Sequence, residues 1–214
     1  MPLLKKTKVF SLAFFILFLF FSSFVYFGGI KTTDLKITQI VQAHIPRIFD
    51  IPFSIFSLLG SLEITLILFL LLTYFLYKRG YVNAYLVLVL FALGSAFESV
   101  GKFFLYHPAP PSTYFRTIGF IFPSKYIHTD FSYPSGHIFR TFLLAVLFIF
   151  FFSKKRSMKS LIFIVVLISL VMAISRLYLG EHWFSDVIGG MLLALSFSFL
   201  TISFLSKKRF NQKQ

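Results

Sequence analysis

Long apolar runs separated by short charged stretches set the layout of this chain. Val9 to Phe27 runs for 19 residues without a charge, enough to cross a hydrocarbon core of roughly 30 Å at ~1.5 Å per helical residue. It follows a basic stretch, as the apolar part of a cleaved leader would. A leader's run is usually about 7–15 residues with a small-residue cleavage site after it. No clear Ala-x-Ala site follows here, and a retained first span is expected. From Ile30 to Pro52, Leu35, Ile37, Ile40, Val41, Ile45 and Ile48 fall partly at helical spacing between Lys31, Asp34, Lys36 and Gln39. That pattern predicts an amphipathic segment in the membrane interface, broken up by Pro46 and Pro52. Phe56–Tyr77 is the expected second span, closed by the tight turn Lys78-Arg79-Gly80, and Tyr81 to about Phe104 is the third. The longest loop, Tyr106 to Tyr133, is rich in proline. Gly136–Phe152, Leu161–Leu179 and Ser185–Leu205 are the fourth, fifth and sixth spans, with the short turn Gly180–Phe184 before the last. The expectation is an all-α polytopic membrane protein. It is a single domain over 1–214, a bundle of six transmembrane helices with a short interfacial helix after the first.

Composition agrees: 57% of the residues are hydrophobic and 33 are Phe, with a mean hydropathy of +0.85, whereas soluble domains average roughly 45–50% apolar. A net charge of +14 would point to nucleic acid on a soluble chain. Here 13 of the 21 basic residues sit in Lys5-Lys6-Lys8, Lys78-Arg79, Lys154-Lys155-Arg156-Lys159 and Lys207-Lys208-Arg209-Lys213, and none of these clusters contains an acid. Basic clusters between apolar runs mark cytoplasmic loops. They place both termini in the cytoplasm and exclude nucleic acid as the expected partner. The same count collects Lys102, His107, His137, Arg176, His182 and Asp186 near the extracytoplasmic face. The absence of cysteine excludes a disulfide framework and a thiol nucleophile.

Ionisable groups beside lipid-buried helices are costly and usually functional. His182 and Asp186 are four apart, hence on one helical face. A carboxylate behind an imidazole fixes its tautomer and stabilises charge developing on it, which a histidine attacking phosphorus needs. A His-Asp pair that only caps a helix has the same spacing. Pro134-Ser135-Gly136-His137 opens the fourth span. A helix N-terminus suits anions, and a glycine there lets the backbone approach. His137 can protonate a departing alkoxide, although a turn followed by an N-cap reads alike. Lys102 can neutralise a phosphate oxygen, pair with Glu98 one turn earlier, or snorkel. His128 reads as a loop residue, and Trp183 as an interfacial anchor.

In order, Pro-Ser-Gly-His and then Ser175-Arg176 with His182 and Asp186 at intervals of five and three residues resemble the type 2 phosphatidic acid phosphatase family of membrane lipid phosphatases. The resemblance covers roughly 102–190. It implies that His182 is the nucleophile of a phosphohistidine, that Asp186 orients it, and that His137 is the general acid. Lys102, Ser135, Gly136 and Arg176 would hold the phosphate oxygens, with no metal or cofactor implied. The expected partners are a lipid phosphate substrate and the bilayer, with no protein partner implied. Undecaprenyl diphosphate, phosphatidylglycerol phosphate, phosphatidic acid and lipid A phosphates are candidate substrates. The first family motif, Lys-(six residues)-Arg-Pro, departs here: Ala109-Pro110 stands where Arg-Pro is expected. A methyl group cannot donate to phosphate. Arg140, one turn after His137, and Arg116, in the proline-rich loop, are the favoured replacements, and a protonated His107 is a third. Arg140 can instead pair with Glu98 or Asp130, and Arg116 can be an interfacial loop charge. A phosphotransferase on the same site, or a non-enzymatic relative, are the competing readings.

Overall fold

The computed structural model describes residues 2–119, 131–153 and 158–205. His128, Asp130, the basic residues Lys154 to Arg156 and the tail from Lys207 lie outside them.

Eight α-helices carry the described chain: α1 (Pro2–Tyr26), α2 (Lys31–His44), α3 (Asp50–Ser57), α4 (Leu62–Lys78), α5 (Leu86–Phe104), α6 (Gly136–Phe152), α7 (Lys159–Tyr178) and α8 (Phe184–Phe204). No strand occurs among the described residues. Four of the helices, within α1, α5, α7 and α8, are long and apolar enough to cross a membrane. A fifth span forms if the pair Arg47–Gly60 and Leu62–Lys78, bent by 47°, is counted as one. With 17 residues, α6 falls just short of that length. At ~1.5 Å per residue it reaches about 26 Å. The chain is therefore an all-helical, multi-pass membrane protein.

The bend corrects the second expected span. The apolar run continues on both sides of Gly60-Ser61, but Ser61 is extended and its hydroxyl accepts from Ile64 N at 3.3 Å, starting a new helix. Pro52 does not break its segment either. It lies in the first turn of α3, where its missing N–H has no helical partner to lose. The third span begins at Leu86 rather than Tyr81, and the intervening turn is pinned by Asn83 Nδ2 donating to Phe204 O at 2.5 Å.

At the centre, α8 packs against α1, α2, α5, α6 and α7. Small residues make this possible: a Cβ on Gly190 would come within 2.6 Å of Ser135 O, and one on Gly189 within 2.4 Å of the Tyr133 ring. The main core joins Phe18, Val25, Phe69, Val87, Phe91, Phe139, Leu143 and Leu193. The other sides of the helices stay apolar and exposed, as in Leu66, Ile67, Leu70 and Leu71 of α4, the pattern expected of faces turned to lipid tails. Amphipathic α2 is oriented by its polar side: Asp34 and Thr38 are buried while Leu35 and Ile40 are exposed.

Candidate active site

The end of α5, the start of α6, the end of α7 and the start of α8 meet at one end of the bundle. Backbone bonds join them directly: Ser135 N donates to Asp186 O at 3.0 Å, Ser132 N to His107 O at 3.1 Å, and Arg116 N to Leu179 O at 3.0 Å. The first of these ties the two histidine-bearing motifs together.

His182 lies in the turn before α8. Its Nδ1 is 3.1 Å from Asp186 Oδ2, which also accepts from Trp183 N at 2.9 Å. Asp186 thus does both jobs left open by the spacing: it satisfies an orphan N–H at the helix start and holds the imidazole. As Asp186 is fully buried and acceptor-only when ionised, Nδ1 carries the proton and Nε2 keeps its lone pair. Burial, then the nearby cations Arg176 and Lys102, hold the His182 imidazole well below the usual histidine range against the opposing pull of Glu98. It is neutral at pH 7, with its lone pair at Nε2.

Ser135 is the residue before α6 and is fully buried, yet its hydroxyl caps nothing and has no hydrogen-bond partner among the described residues. A buried hydroxyl left this way costs about 1–3 kcal/mol, and it sits where the helix N-terminus favours an anion. His137, one position into α6, is buried against Gly60, where an added Cβ would lie 2.7 Å from its ring. His137 and His182 are within electrostatic reach of each other, and both of Lys102, Arg140 and Arg176. The arrangement joins a neutral imidazole backed by a carboxylate, a second imidazole and an unspent hydroxyl with three cations. It can bind a phosphate group and exchange one of its esters.

Two internal carboxylates share this space. Glu98 is buried, with Lys102 Nζ at 2.5 Å and Arg140 Nη1 at 3.5 Å. Its Oε1 would stand 2.7 Å from a Cβ on Gly136, so a side chain at that glycine would meet the ion pair. Arg140 also donates from Nε to Gly60 O at 3.1 Å. Glu98, one of the two acids suggested by sequence for Arg140, lies beside it. Arg176 is ion-paired with Glu181, whose carboxylate also accepts from Thr117 Oγ1.

The other two suggested replacements for the missing arginine are placed differently. Arg116 donates from Nη1 to Ile45 O at 3.1 Å and from Nη2 to Gln42 O at 3.0 Å, with its guanidinium 4.8 Å from the centre of the Tyr178 ring. It closes the C-terminal end of α2, where unpaired carbonyls attract cations, a structural role in competition with the one expected at phosphate. Arg116→Ala is expected to lower detergent-state stability by about 1–3 kcal/mol. A thermal melt should fall by several degrees while KM for a lipid phosphate changes less than twofold; a tenfold rise in KM would restore the phosphate role. His107 lies behind Asp186, its Nε2 3.5 Å from Asp186 Oδ1 and 3.0 Å from Ser185 Oγ. The carboxylate stands between it and His182, which sets it apart from the expected phosphate contacts. Trp183 is more than an anchor: its indole N–H donates to Pro108 O at 2.8 Å and holds the loop beside Ala109.

Sequence reasoning missed Asp34, Gly60 and Glu181. Asp34 accepts from Ser185 N and Ser185 Oγ, both at 2.8 Å. The only signal for it was an acid among the otherwise basic and neutral residues that form α2.

Fold and site together define a multi-pass membrane protein with a paired-histidine, cation-lined centre at the ends of its helices. The family model described as the PAP2 superfamily matches residues 82–210, and the chain belongs to that family. Phosphatidylglycerophosphatase B of Bacillus subtilis (strain 168) is 36% identical over 91 residues, 40% of this chain and 45% of that protein. The match thus spans less than half of that relative. Among solved structures, the first transmembrane PAP2-type phosphatidylglycerolphosphate phosphatase from Bacillus subtilis superposes with a TM-score of 0.72 at 22% identity, covering 91% of this chain and 95% of that one. Aquifex aeolicus LpxE gives 0.62 at 20% identity, covering 80% and 96%. These two likenesses show the fold.

Proposed function

We propose that this protein is an integral membrane lipid phosphatase. It would hydrolyse a phosphomonoester or diphosphate head group through a phosphohistidine at His182. The observation that carries this reading is the His182–Asp186 bond, which leaves a neutral Nε2 among Lys102, Arg140 and Arg176. His182 Nε2 attacks phosphorus as the bond to the lipid oxygen breaks, and His137 gives its proton to that oxygen. The incoming phosphate supplies the negative charge that favours a protonated His137. Water then attacks the phosphohistidine, His137 takes its proton, and inorganic phosphate leaves. Lys102, Arg176 and Arg140, with Ser135 Oγ and the start of α6, hold the phosphate oxygens as charge shifts among them. No step in this sequence calls on a metal or cofactor.

Membership in the PAP2 superfamily and the similarity to phosphatidylglycerophosphatase B support the substrate class. Phosphatidylglycerol phosphate is therefore a candidate, beside undecaprenyl diphosphate, phosphatidic acid and lipid A phosphates. We place the site on the extracytoplasmic side and both termini in the cytoplasm, from the distribution of the basic clusters. The whole chain would then act as one phosphatase domain.

The experiment is phosphate release by the detergent-solubilised protein from a panel of lipid phosphates and diphosphates, with excess chelator throughout. Release is expected to persist within twofold of the rate without chelator. Strict dependence on a divalent metal would overturn the mechanism. No phosphate release, with the labelled phosphoryl group transferred intact to an added lipid alcohol, would show a phosphotransferase instead.

A further inference from the structure

Behind the proposed nucleophile lies a second buried network that the reaction as described does not use. Asp34 on α2, Ser185 and Asp186 on α8, and His107 after α5 are all buried, each less than a tenth exposed. Ser185 Oγ donates its single hydrogen to Asp34 Oδ2 at 2.8 Å. Burial pushes the Asp34 carboxyl up to about 6, against the opposing bonds from Ser185, so at neutral pH it remains mainly an acceptor. With that hydroxyl hydrogen spent, the 3.0 Å contact between Ser185 Oγ and His107 Nε2 requires the proton to be on the imidazole. The same Nε2–H lies 3.5 Å from Asp186 Oδ1. That oxygen is fully buried and forms no hydrogen bond of full geometry among the described residues, the Ser132 hydroxyl being the other donor near the carboxylate, while Oδ2 already serves His182 and Trp183.

We propose that His107 is a positioning residue: its Nε2–H, fixed by Ser185 and Asp34, faces Asp186 Oδ1 and holds the carboxylate that orients His182. The inference rests on His182 being the nucleophile. It replaces a phosphate-binding role for His107 with one exerted through another side chain. A lone carboxylate in a dry site is costly to keep ionised, and the second imidazole supplies a donor on the face that His182 cannot reach. The groups facing His107 are Asp34 and Lys31 from α2, Ser185 and Asp186 from α8, and Tyr133 from the segment before α6. Burial, more than these charges, keeps its imidazole below the usual histidine range, so it acts as a neutral donor.

The test compares His107→Phe with His107→Gln, whose amide N–H reaches nearly the same point. The wild type is first quenched in alkaline denaturant with labelled lipid phosphate, because the P–N bond of phosphohistidine is acid-labile and survives in base. His107→Phe should lower kcat about 10- to 100-fold with KM within twofold, and should move the acid limb of the kcat profile to higher pH, because a proton then competes better for the carboxylate. His107→Gln should recover most of the rate and the original limb. Unchanged kcat and pH profile in His107→Phe would overturn the proposal. So would a raised KM with kcat intact, which is the signature of a phosphate ligand. If instead the wild type turns over without a phosphohistidine, the nucleophile reading itself fails, and this inference fails with it. Should His107→Phe not fold, 15N-histidine spectra of the wild type decide: an Nε2–H tautomer at His107 supports the proposal, and an Nδ1–H tautomer overturns it.

Discussion

Replacing His182 with alanine is expected to abolish lipid phosphate hydrolysis, by more than about four orders of magnitude. The size follows from the position of the side chain. Its Nδ1 is fixed by Asp186 at 3.1 Å, which leaves a buried, neutral Nε2 lone pair beside Arg176, Lys102 and Arg140. Arg176, Lys102 and Ser135 would remain, so the variant should still bind. Weak binding of the lipid with no turnover is the expected pair of results, read by phosphate release and by competition with an unlabelled substrate. Wild type quenched in alkaline denaturant should carry label on one histidine, and His182→Ala on none. Substantial turnover by a folded His182→Ala protein would remove the covalent mechanism.

His137→Gln is expected to slow hydrolysis roughly a hundred- to ten-thousandfold, and the loss should depend on the leaving group. A lipid alkoxide leaves poorly without a proton, so formation of the phosphoenzyme is slowed. A nitrophenyl ester needs no such help. With that substrate the first step should return to near the wild-type rate while attack by water, which still lacks its base, stays slow. Phosphohistidine should then accumulate, visible as a burst of nitrophenolate followed by slow turnover. An equal defect with both leaving groups would make His137 a binding group only. Its buried place against Gly60 means that the glutamine variant, close in volume, is preferable to a larger side chain.

Much of the architecture was legible because lipid-facing helices need continuous apolar runs, and those of α1, α5, α7 and α8 are hard to mistake. The break at Gly60-Ser61 was not, since Phe56, Leu58, Leu59 and Leu62 flank it with the same hydrophobicity as a continuous span. Spacing placed His182 and Asp186 on one face, because four residues make about one helical turn, and the structure brings them into contact. Spacing could not tell on which side of Asp186 a residue 79 positions earlier would arrive, and His107 came to lie behind it. Arg116 illustrates the same limit: a cation in a loop near the motifs is drawn as easily to the carbonyls ending α2 as to phosphate. Asp34 was hidden for a different reason. On an amphipathic helix the polar side is normally taken to face water, whereas here it faces the protein and Leu35 and Ile40 face out.

That inverted helix bears on motion. At one end of α2, Asp34 is bonded twice to Ser185. At the other, Gln42 Nε2 donates to Tyr114 O at 2.8 Å and Tyr178 O at 2.9 Å, and Arg116 grips the last carbonyls. A segment fastened at both ends to α7 and α8 cannot swing as a flap without breaking several buried bonds at once. α2 is a wall of the site, and a head group arriving from the bilayer must pass through one of the faces that α2 does not close.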